Sequence, residues 1–365
     1  MLYKKLAKPV LFRMDPEAAH HLTICGLSIA GKVPGAKGII HGLYGMPKRA
    51  ELQMKLWGIG FANPVGLAAG LDKNAEAVEG FSQMGFGFME VGTVTPRPQE
   101  GNEKPRMFRL PEYQALINRM GFNNVGAEKM ARTMSALKNR PIPVAVNIGK
   151  NKVTPNEDAE EDYRICIRTL YKEADFFVVN ISSPNTPDLR SLQHGSDLLN
   201  LLHAVTDEMQ RQQARYGDSG KPVLVKIAPD LTDEEVENTI HTIRESGAAG
   251  IIVSNTTISR EGIVHAHKDQ AGGLSGKPLA ECSTEMVAKV YLLTGGKMPI
   301  IGSGGIFTPE DAYAKFRAGA SLVEVYTALI YEGPKLIRRL NEGLIALLKR
   351  DGYTHLSQAI GADHR

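Results

Sequence analysis

The chain of 365 residues is 42% hydrophobic and 23% charged, which is typical of a soluble globular protein with a large core and excludes extensive disorder. A formal net charge of +3, with lysine and arginine dispersed along the chain, does not favour nucleic acid as a partner. The cysteines, Cys25, Cys166 and Cys282, are far apart and lack CxxC spacing, so they indicate neither a disulfide framework nor a zinc site, and a reducing compartment is the simplest inference.

The first 31 residues differ in composition from the rest of the chain. Met1 to Met14 contains no acid, and its apolar residues recur at roughly helical spacing, although Pro9 weakens the helix prediction. Asp15-Pro16-Glu17 then predicts a cap, with proline at the first helical position, for a second helix over Ala18 to Gly31, a run without charged side chains. The basic residues of the first helix are Lys4, Lys5, Lys8 and Arg13.

Two settings remain open for these helices. The uncharged run is shorter than the roughly 20 apolar residues that span a bilayer. It also follows two acids and has no clear cleavage site, so a secretory signal is not predicted. The helices either lie on a membrane surface through a basic amphipathic face or pack on the body of the protein.

From Asn63 onward, short apolar runs alternate with helical patterns. The runs predicted as buried strands are Val65–Ala69, Gly87–Gly92, Val144–Ile148, Phe176–Ile181, Val223–Ile227, Gly250–Ser254, Pro299–Gly302 and Leu322–Tyr326. The predicted helices include Glu157–Tyr171, Asp233–Glu245, Glu281–Leu293, Pro309–Ala318 and Lys335–Arg350. Eight strands alternating with helices favour the α/β class and a closed (β/α)₈ TIM barrel with a small N-terminal helical extension. A doubly wound open sheet is the alternative, but no GxGxxG motif opens the first unit.

Two connections are longer than the barrel requires. Thr93 to Arg140 is rich in proline, arginine and glycine, and Thr256 to Gly276 is a loop that contains glycine and histidine. Long connections in a compact domain are usually functional lids or disordered segments. We expect the first to cross the barrel mouth.

Chemistry in such a barrel gathers where the strands end at their C-terminal side. Amides, hydroxyls and two lysines dominate these ends, and no cluster of His, Asp and Glu supports a metal-dependent enzyme. The residues are Ala69 to Lys73, Gly92-Thr93, Asn147, Asn180 with Ser182, Ser183 and Asn185, Lys226, Ser254 to Thr256, Gly302 to Gly305, and Tyr326-Thr327.

The glycines and lysines among these ends each have a functional interpretation and a plain one. Gly302 to Gly305 and Thr327, after the seventh and eighth strands, lie where barrels usually bind phosphate, although glycine-rich turns also serve tight packing. Lys73 and Lys226 suit a reduced flavin or an anionic substrate, or each pairs with a local acid such as Asp72 or Asp230.

Seven motifs taken together resemble one family, the class 2 dihydroorotate dehydrogenases, which are the quinone-dependent enzymes of pyrimidine synthesis. The motifs are Ala68 to Lys73, Gly92 to Pro98, Asn118 to Asn124, Asn180 to Thr186, Lys226 to Asp230, Ser254 to Thr257 and Gly273 to Gly276. The resemblance covers almost the whole chain and includes the N-terminal extension that class 1 enzymes lack. Asp188 departs from the family pattern, which usually has glycine at this position. This departure puts the conformation of the loop in question.

The resemblance implies that Ser183 is the general base that takes the proton from C5 of dihydroorotate while hydride leaves C6 for flavin N5; class 1 enzymes use cysteine instead. A serine hydroxyl is a weak base, so water or a hydroxyl such as that of Thr186 must relay its proton. The substrate residues implied by the family are Lys73, Asn118, Arg119, Met120, Gly121, Phe122, Asn180, Asn185, Asn255 and Thr256.

The same resemblance implies that the cofactor is flavin mononucleotide (FMN), with its phosphate near Gly305 and Thr327. The residues implied to surround it are Ala69, Gly70, Leu71, Asp72, Lys73, Thr93, Asn147, Asn180, Lys226, Ser254, Gly276, Gly305, Tyr326 and Thr327. No metal is expected.

The family's N-terminal helices form an apolar tunnel from the membrane surface to the flavin. By this resemblance, residues 1–45 form a membrane-associating quinone tunnel and residues 46–365 the catalytic barrel, with Arg109, Tyr326 and His20 as candidate quinone contacts. His20 is alternatively an ordinary helix-face residue. The expected location is the cytoplasmic side of the inner membrane of a bacterial cell, as a peripheral protein without a targeting peptide.

The sequence leaves two rival functions to compare with this one. Another flavin-dependent barrel is one: a hydroxy-acid oxidase would have a catalytic histidine near the flavin, and a tRNA dihydrouridine synthase a cysteine and a strongly basic surface. Neither feature is evident in the sequence. A non-catalytic membrane-surface module is the other, and it leaves the polar strand ends unexplained.

Overall fold

Eight parallel strands close into a barrel in a computed structural model that describes residues 3–137, 140–186, 188–193 and 195–365. The (β/α)₈ prediction is confirmed, and the open sheet is wrong. In chain order the strands are β1 (Met54–Leu56), β2 (Ile59–Phe61), β3 (Val65–Leu67), β4 (Phe88–Val94), β5 (Met107–Leu110), β6 (Ala115–Asn118), β7 (Val144–Ile148), β8 (Phe176–Asn180), β9 (Val223–Ile227), β10 (Gly250–Val253), β11 (Gly273–Gly276), β12 (Ile300–Ser303) and β13 (Leu322–Val325).

The barrel order is β3, β4, β7, β8, β9, β10, β12 and β13, which pairs back with β3. Every residue of β7, β8 and β9 is buried, because one face of each strand fills the barrel interior and the other packs against helices. This double burial explains the continuous apolar runs that made the strands recognisable in sequence.

The helices alternate with the strands as predicted, and the predicted bounds agree with the observed ones to within two residues. They are α1 (Lys8–Arg13), α2 (Pro16–Lys32), α3 (Ala36–Tyr44), α4 (Val78–Ser82), α5 (Ala127–Ser135), α6 (Ala159–Leu170), α7 (Gly195–Tyr216), α8 (Asp233–Glu245), α9 (Ala280–Leu293), α10 (Pro309–Ala318), α11 (Thr327–Glu332) and α12 (Lys335–Arg350). None of the helices in the described ranges has the length and apolar character needed to cross a bilayer.

The two long connections form one structure that the sequence did not predict. β5 and β6 lie in the first connection and β11 in the second, and the three strands pair in the order β11-β6-β5 as an antiparallel sheet. Gly273 pairs with Asn118, and Gly276 pairs with Ala115. Both connections are therefore ordered against each other, beside residues that line the cavity at the barrel mouth.

The predicted N-terminal helices are present, although Met1 and Leu2 lie outside the described residues. Asp15 caps α2 by accepting the N–H groups of Glu17 and Ala18 at 3.0 and 2.9 Å. α3 is a further helix that was not predicted. The boundary at residue 45 stays a prediction, since α3 ends at Tyr44 without any test of independent folding.

Buried polar contacts hold the N-terminal helices against the side of the barrel. The guanidinium of Arg106 pairs with Glu17, with 2.7 Å between Nη2 and Oε1, and both side chains are buried. Burial alone would raise the pKa of Glu17, but hydrogen bonding and charge from Arg106, with Lys104, hold this pKa at about 2. Arg109 donates to the carbonyl oxygen of Met14 at 2.8 Å. The helices of the extension are thus anchored through the first long connection.

Candidate active site

A cavity of about 1060 Å³ of atom-free space, open on one side, lies at the C-terminal ends of the barrel strands. Nineteen of the 23 predicted site residues line it: Ala69, Gly70, Lys73, Thr93, Asn118, Met120, Gly121, Phe122, Asn180, Ser183, Asn185, Lys226, Ser254, Asn255, Thr256, Gly276, Gly305, Tyr326 and Thr327. The parallel strands bring these residues together although they are spread over 259 positions of sequence, from 69 to 327. We call this space the first cavity.

Four predicted residues do not line the first cavity. Leu71 faces a second cavity instead. Asp72 is fully buried, and its carboxylate accepts the N–H groups of Glu76 and Ala77. Arg119 points away and donates to Gln270 at 2.7 Å. Asn147 is buried beside the cavity, where its Oδ1 accepts from Thr93 and Asn180. A direct side-chain contact with a ligand is therefore not supported for Asp72 or Arg119.

The loop after β8 separates two neighbouring serines. Ser182 is fully buried, donates to Asn180 Oδ1 at 3.1 Å and accepts from Asn255 Nδ2 at 2.9 Å. Ser183 lines the first cavity, and its Oγ accepts the N–H of Asn185 at 3.2 Å. Ser182 thus positions the asparagines, whereas Ser183 offers its hydroxyl to a ligand.

Two buried acceptors near Ser183 have no partner. Asn185 Oδ1 and Thr186 Oγ1 are shielded from solvent, and neither makes a hydrogen bond within the described residues. Buried polar atoms in proteins are nearly always hydrogen-bonded. These two atoms therefore indicate a polar ligand or water bound beside Ser183.

Three ionisable side chains meet inside the barrel. Lys226 Nζ lies 2.7 Å from Glu90 Oε2 and 3.5 Å from Glu324 Oε2. Burial would lower the pKa of Lys226, but the two carboxylates together raise it, so Lys226 is charged. Burial, followed by the charge of Glu90, raises the pKa of Glu324 well above its usual range. The cluster therefore holds a charged Lys226 beside a Glu324 carboxyl whose protonated form is favoured.

The plain interpretation, in which each lysine pairs with an acid, holds for Lys226, but the suggested partners Asp72 and Asp230 are wrong. Lys226 pairs with Glu90 and Glu324 inside the barrel, whereas Asp230 pairs with Arg190 at 2.8 Å. Sequence reasoning missed both glutamates, although each is the one acid in an otherwise apolar strand. A lone acid in a strand with both faces buried was the available signal.

Lys73 has a different environment. Its Nζ donates to Asn123 Oδ1 at 2.5 Å, and no carboxylate within the described ranges lies at ion-pair distance. Burial, with repulsion from Arg106, lowers the pKa of Lys73 to about 7. An anionic ligand in the first cavity would complete the pairing of this ammonium and raise its pKa.

The glycine-rich turn after β12 lines another part of the first cavity. Gly304 and Gly305 have φ values of 116° and 70°, a backbone conformation that side chains rarely adopt. A Cβ on Gly305 would lie 2.3 Å from the Cα of Ala280. Ser275 and Thr327 share a hydrogen bond of 2.8 Å nearby. Backbone groups and hydroxyls thus contribute to this end of the cavity, together with the apolar side chains of Leu279 and Ile306.

A second cavity of about 810 Å³ lies between the N-terminal helices and the barrel. Its lining is mostly apolar, and it contains the three predicted contacts His20, Arg109 and Tyr326. Burial lowers the pKa of His20 to about 3, so its imidazole is neutral at physiological pH. Tyr326 lines both cavities, so both spaces border this residue.

Asp188, which departs from the family pattern, has a backbone conformation typical of glycine. Asp188 has a φ of 53°, in the left-handed region. Glycine adopts this region freely, and aspartate is among the residues that tolerate it best. Asp188 therefore adopts a backbone conformation that the glycine expected from the family resemblance would adopt freely.

The family model for dihydroorotate dehydrogenase matches residues 51–348, most of the chain. The chain belongs to the dihydroorotate dehydrogenase family. A relative from Deinococcus deserti, named dihydroorotate dehydrogenase (quinone), is 54% identical over 99% of this chain and 100% of its own. The relative of the same name from Deinococcus radiodurans is 54% identical over 97% of this chain and 98% of its own.

Solved structures of dihydroorotate dehydrogenase agree with this assignment. The enzyme from Eimeria tenella, in complex with ferulenol, superposes with a TM-score of 0.88 and 42% sequence identity over 96% of each chain. The resemblance to quinone-dependent dihydroorotate dehydrogenases is thus confirmed. The chain is an oxidoreductase of a flavin-dependent family.

Proposed function

We propose that this dihydroorotate dehydrogenase oxidises dihydroorotate to orotate in pyrimidine synthesis and passes the electrons through FMN to a membrane quinone. The observation that carries the proposal is the pair of cavities that both border Tyr326. The first is polar and suits a carboxylated ring, and the second is apolar and suits a quinone.

The first cavity fits FMN on three observations. Gly304 and Gly305, whose positive φ and close packing against Leu279 and Ala280 exclude side chains, bring backbone groups to the cavity, where their N–H groups would suit a phosphate. Lys226 lines the cavity with a buried positive charge that would suit the negative charge of a reduced flavin. Glu324, whose carboxyl oxygens have no hydrogen-bond partner among the described residues, lines the same space. Bound FMN would provide a hydride acceptor for C6 of dihydroorotate and a donor of one or two electrons to quinone.

The loop after β8 would supply the proton chemistry. Ser183 would take the proton from C5 of dihydroorotate, with Asn185 N–H holding its Oγ in place at 3.2 Å. Thr186, whose hydroxyl is buried and unpartnered within the described residues, would relay that proton outward together with water. This assignment needs no histidine.

Positive charge and amides would stabilise the charge that develops on the substrate. Lys73 has no acid partner among the described residues and would face the carboxylate and carbonyl oxygens of dihydroorotate. Asn118, Asn180, Asn185 and Asn255 line the same part of the first cavity, and Ser182 holds two of them in place. Preorganised donors of this kind do not need to reorient during the reaction.

The N-terminal helices would bring the enzyme to the membrane. Of the 11 large hydrophobic side chains exposed among the described residues, seven lie between residues 6 and 43: Leu6, Val10, Leu22, Ile29, Val33, Ile39 and Leu43. Exposed apolar side chains beside basic residues are typical of helices that lie on an anionic membrane surface. We propose a peripheral position on the cytoplasmic side of the bacterial inner membrane, with quinone entering the second cavity from the bilayer.

Neither rival flavin-dependent barrel gains support from the first cavity. Its lining, taken over the described part of the chain, contains no histidine for a hydroxy-acid oxidase and no cysteine for a tRNA dihydrouridine synthase. Cys166 is buried, and burial raises the pKa of its thiol well above the usual range, which makes it unreactive.

The proposal predicts a yellow protein that dihydroorotate bleaches. Purified full-length protein should release one FMN per chain on denaturation, identified by chromatography against riboflavin and FAD. Under anaerobic conditions, dihydroorotate should bleach the bound flavin absorbance fully, while lactate should not. A preparation without flavin, or a flavin that dihydroorotate leaves oxidised, would contradict the proposal.

A further inference from the structure

A buried lysine lies behind the glycine-rich end of the first cavity. Lys315, on α10, is 1% exposed. Its ammonium donates to the hydroxyls of Ser283 and Thr284 and, at 3.5 Å, to the carbonyl oxygen of Ala280. All three acceptors belong to the first turns of α9. Within the described parts of the chain, no carboxylate lies at ion-pair distance from this ammonium.

This position is unfavourable for a cation on three counts. The ammonium is removed from water, its partners are neutral, and it lies at the positive end of the dipole of α9. Asp311, on the same helix, is occupied by the N–H groups of Phe307 and Thr308, each at 2.8 Å. Burial lowers the pKa of Lys315 to about 7, which shows how weakly these surroundings compensate its charge. An anion nearby would offset all three costs.

The glycine-rich turn lies directly against this lysine. Ser283 Oγ, which accepts from Lys315, donates to the carbonyl oxygen of Gly304 at 3.2 Å. A Cβ on Gly302 would lie 3.1 Å from Lys315 Cδ. Because a trans peptide directs its C=O and N–H to opposite sides, holding the Gly304 carbonyl toward α9 turns the Gly305 N–H away from it. Gly304 and Gly305 line the first cavity.

The other lysines near the first cavity have different positions. Lys73 contacts Asn123, and Lys226 is paired with two glutamates, so neither supplies charge to the glycine-rich turn. Lys277 follows Gly276 but has an exposed side chain. Among the described residues that contact the glycine-rich turn, Lys315 is the buried cation.

We propose that Lys315 is a positioning residue for the phosphate of FMN, acting through Ser283 and the Gly304 peptide, and that it makes the site prefer FMN over unphosphorylated riboflavin. The inference rests on the proposed function, because FMN is the anion it invokes. The phosphate supplies the missing negative charge, and the lysine fixes the peptide that donates to the phosphate. A purely structural lysine would affect FMN and riboflavin equally.

The test is a competition between the two flavins. Full-length protein is equilibrated with mixtures of FMN and riboflavin, desalted, and the bound flavins are separated by chromatography. We expect Lys315→Met to lower the preference for FMN at least tenfold, equivalent to about 1.4 kcal/mol. Lys315→Arg should retain most of it. Lys277→Met, which removes an exposed lysine at the same end, should leave the preference unchanged.

Each outcome decides the proposal. If Lys315→Met has the same preference for FMN as the wild type, the proposed role of Lys315 is overturned. If Lys277→Met loses as much of the preference for FMN as Lys315→Met does, long-range charge alone is responsible, and the proposed role of Lys315 is overturned as well. If Lys315→Met does not fold, Lys315→Gln keeps an amide donor for Ser283 and Thr284, and the same criterion applies to it. A wild-type protein without preference for FMN would instead overturn the proposed cofactor, so the two failures are distinguishable.

Discussion

Replacing Ser183 with alanine is expected to lower the rate of flavin reduction by dihydroorotate by about 10² to 10⁴, the range usual for loss of a general base. The reason is that Ser183 lines the first cavity, whereas Ser182 is turned toward Asn180 and Asn255. FMN should remain bound, because the Ser183 hydroxyl accepts one backbone N–H and anchors no other side chain. Anaerobic stopped-flow absorbance measures the step without interference from quinone.

The matched control for this variant is Ser191→Ala. Ser191 lies in the same connection between β8 and α7, but its hydroxyl is exposed and bonds Asp188 and Asn156 outside the first cavity. Its flavin reduction rate should equal that of the wild type. A near wild-type rate in Ser183→Ala would exclude Ser183 as the base and turn attention to Thr186.

Deleting residues 1–31 is expected to abolish quinone reduction and membrane retention while dihydroorotate still bleaches the flavin. The deletion removes α1 and nearly all of α2, which form one wall of the second cavity. The first cavity is lined by barrel residues and the loops that follow them, so its chemistry should persist. Turnover with decylubiquinone and with a water-soluble dye, together with flotation on anionic vesicles, measures the three properties.

A point variant separates loss of the tunnel from loss of stability. Thr23 is exposed at the second cavity and bonds the carbonyl of Ala19 at 2.8 Å, so Thr23→Trp should block the cavity while α2 stays folded. Thr242→Trp, on α8, replaces a helical threonine with the same type of backbone bond far from the cavity. Quinone turnover should fall only in the first variant. Unchanged quinone kinetics in both Thr23→Trp and the deletion would refute the tunnel.

The barrel could be predicted from the sequence because its strands are buried on both faces. A continuous apolar run such as Phe176 to Val179 is distinctive, and its polar C-terminal end at Asn180 then locates the site. The antiparallel sheet of β5, β6 and β11 could not be predicted, since it joins segments about 150 residues apart through short strands that have little pattern of their own. Pairing of that kind is decided by tertiary contacts.

Individual side-chain roles were harder to predict than positions. The choice of Ser183 over Ser182 rested on family resemblance, and the hydrogen bonds of Ser182 now give it a geometric reason. Lys315 was missed because its burial is recognisable only once its neighbours are known, whereas Glu324, a lone acid in a buried strand, did give a signal, although its partners could not be inferred from it. For Glu324 the neighbours are Glu90 and Lys226, which come from two other strands of the barrel.

The central claim is that electrons from dihydroorotate leave through the second cavity to quinone. A single steady-state assay of dihydroorotate oxidation by the full-length protein, with quinone, fumarate and NAD compared as acceptors, tests it most directly. We expect fast turnover with quinone, and turnover near the acceptor-free rate with fumarate and NAD. Turnover with fumarate or NAD that equals or exceeds the rate with quinone would contradict the account.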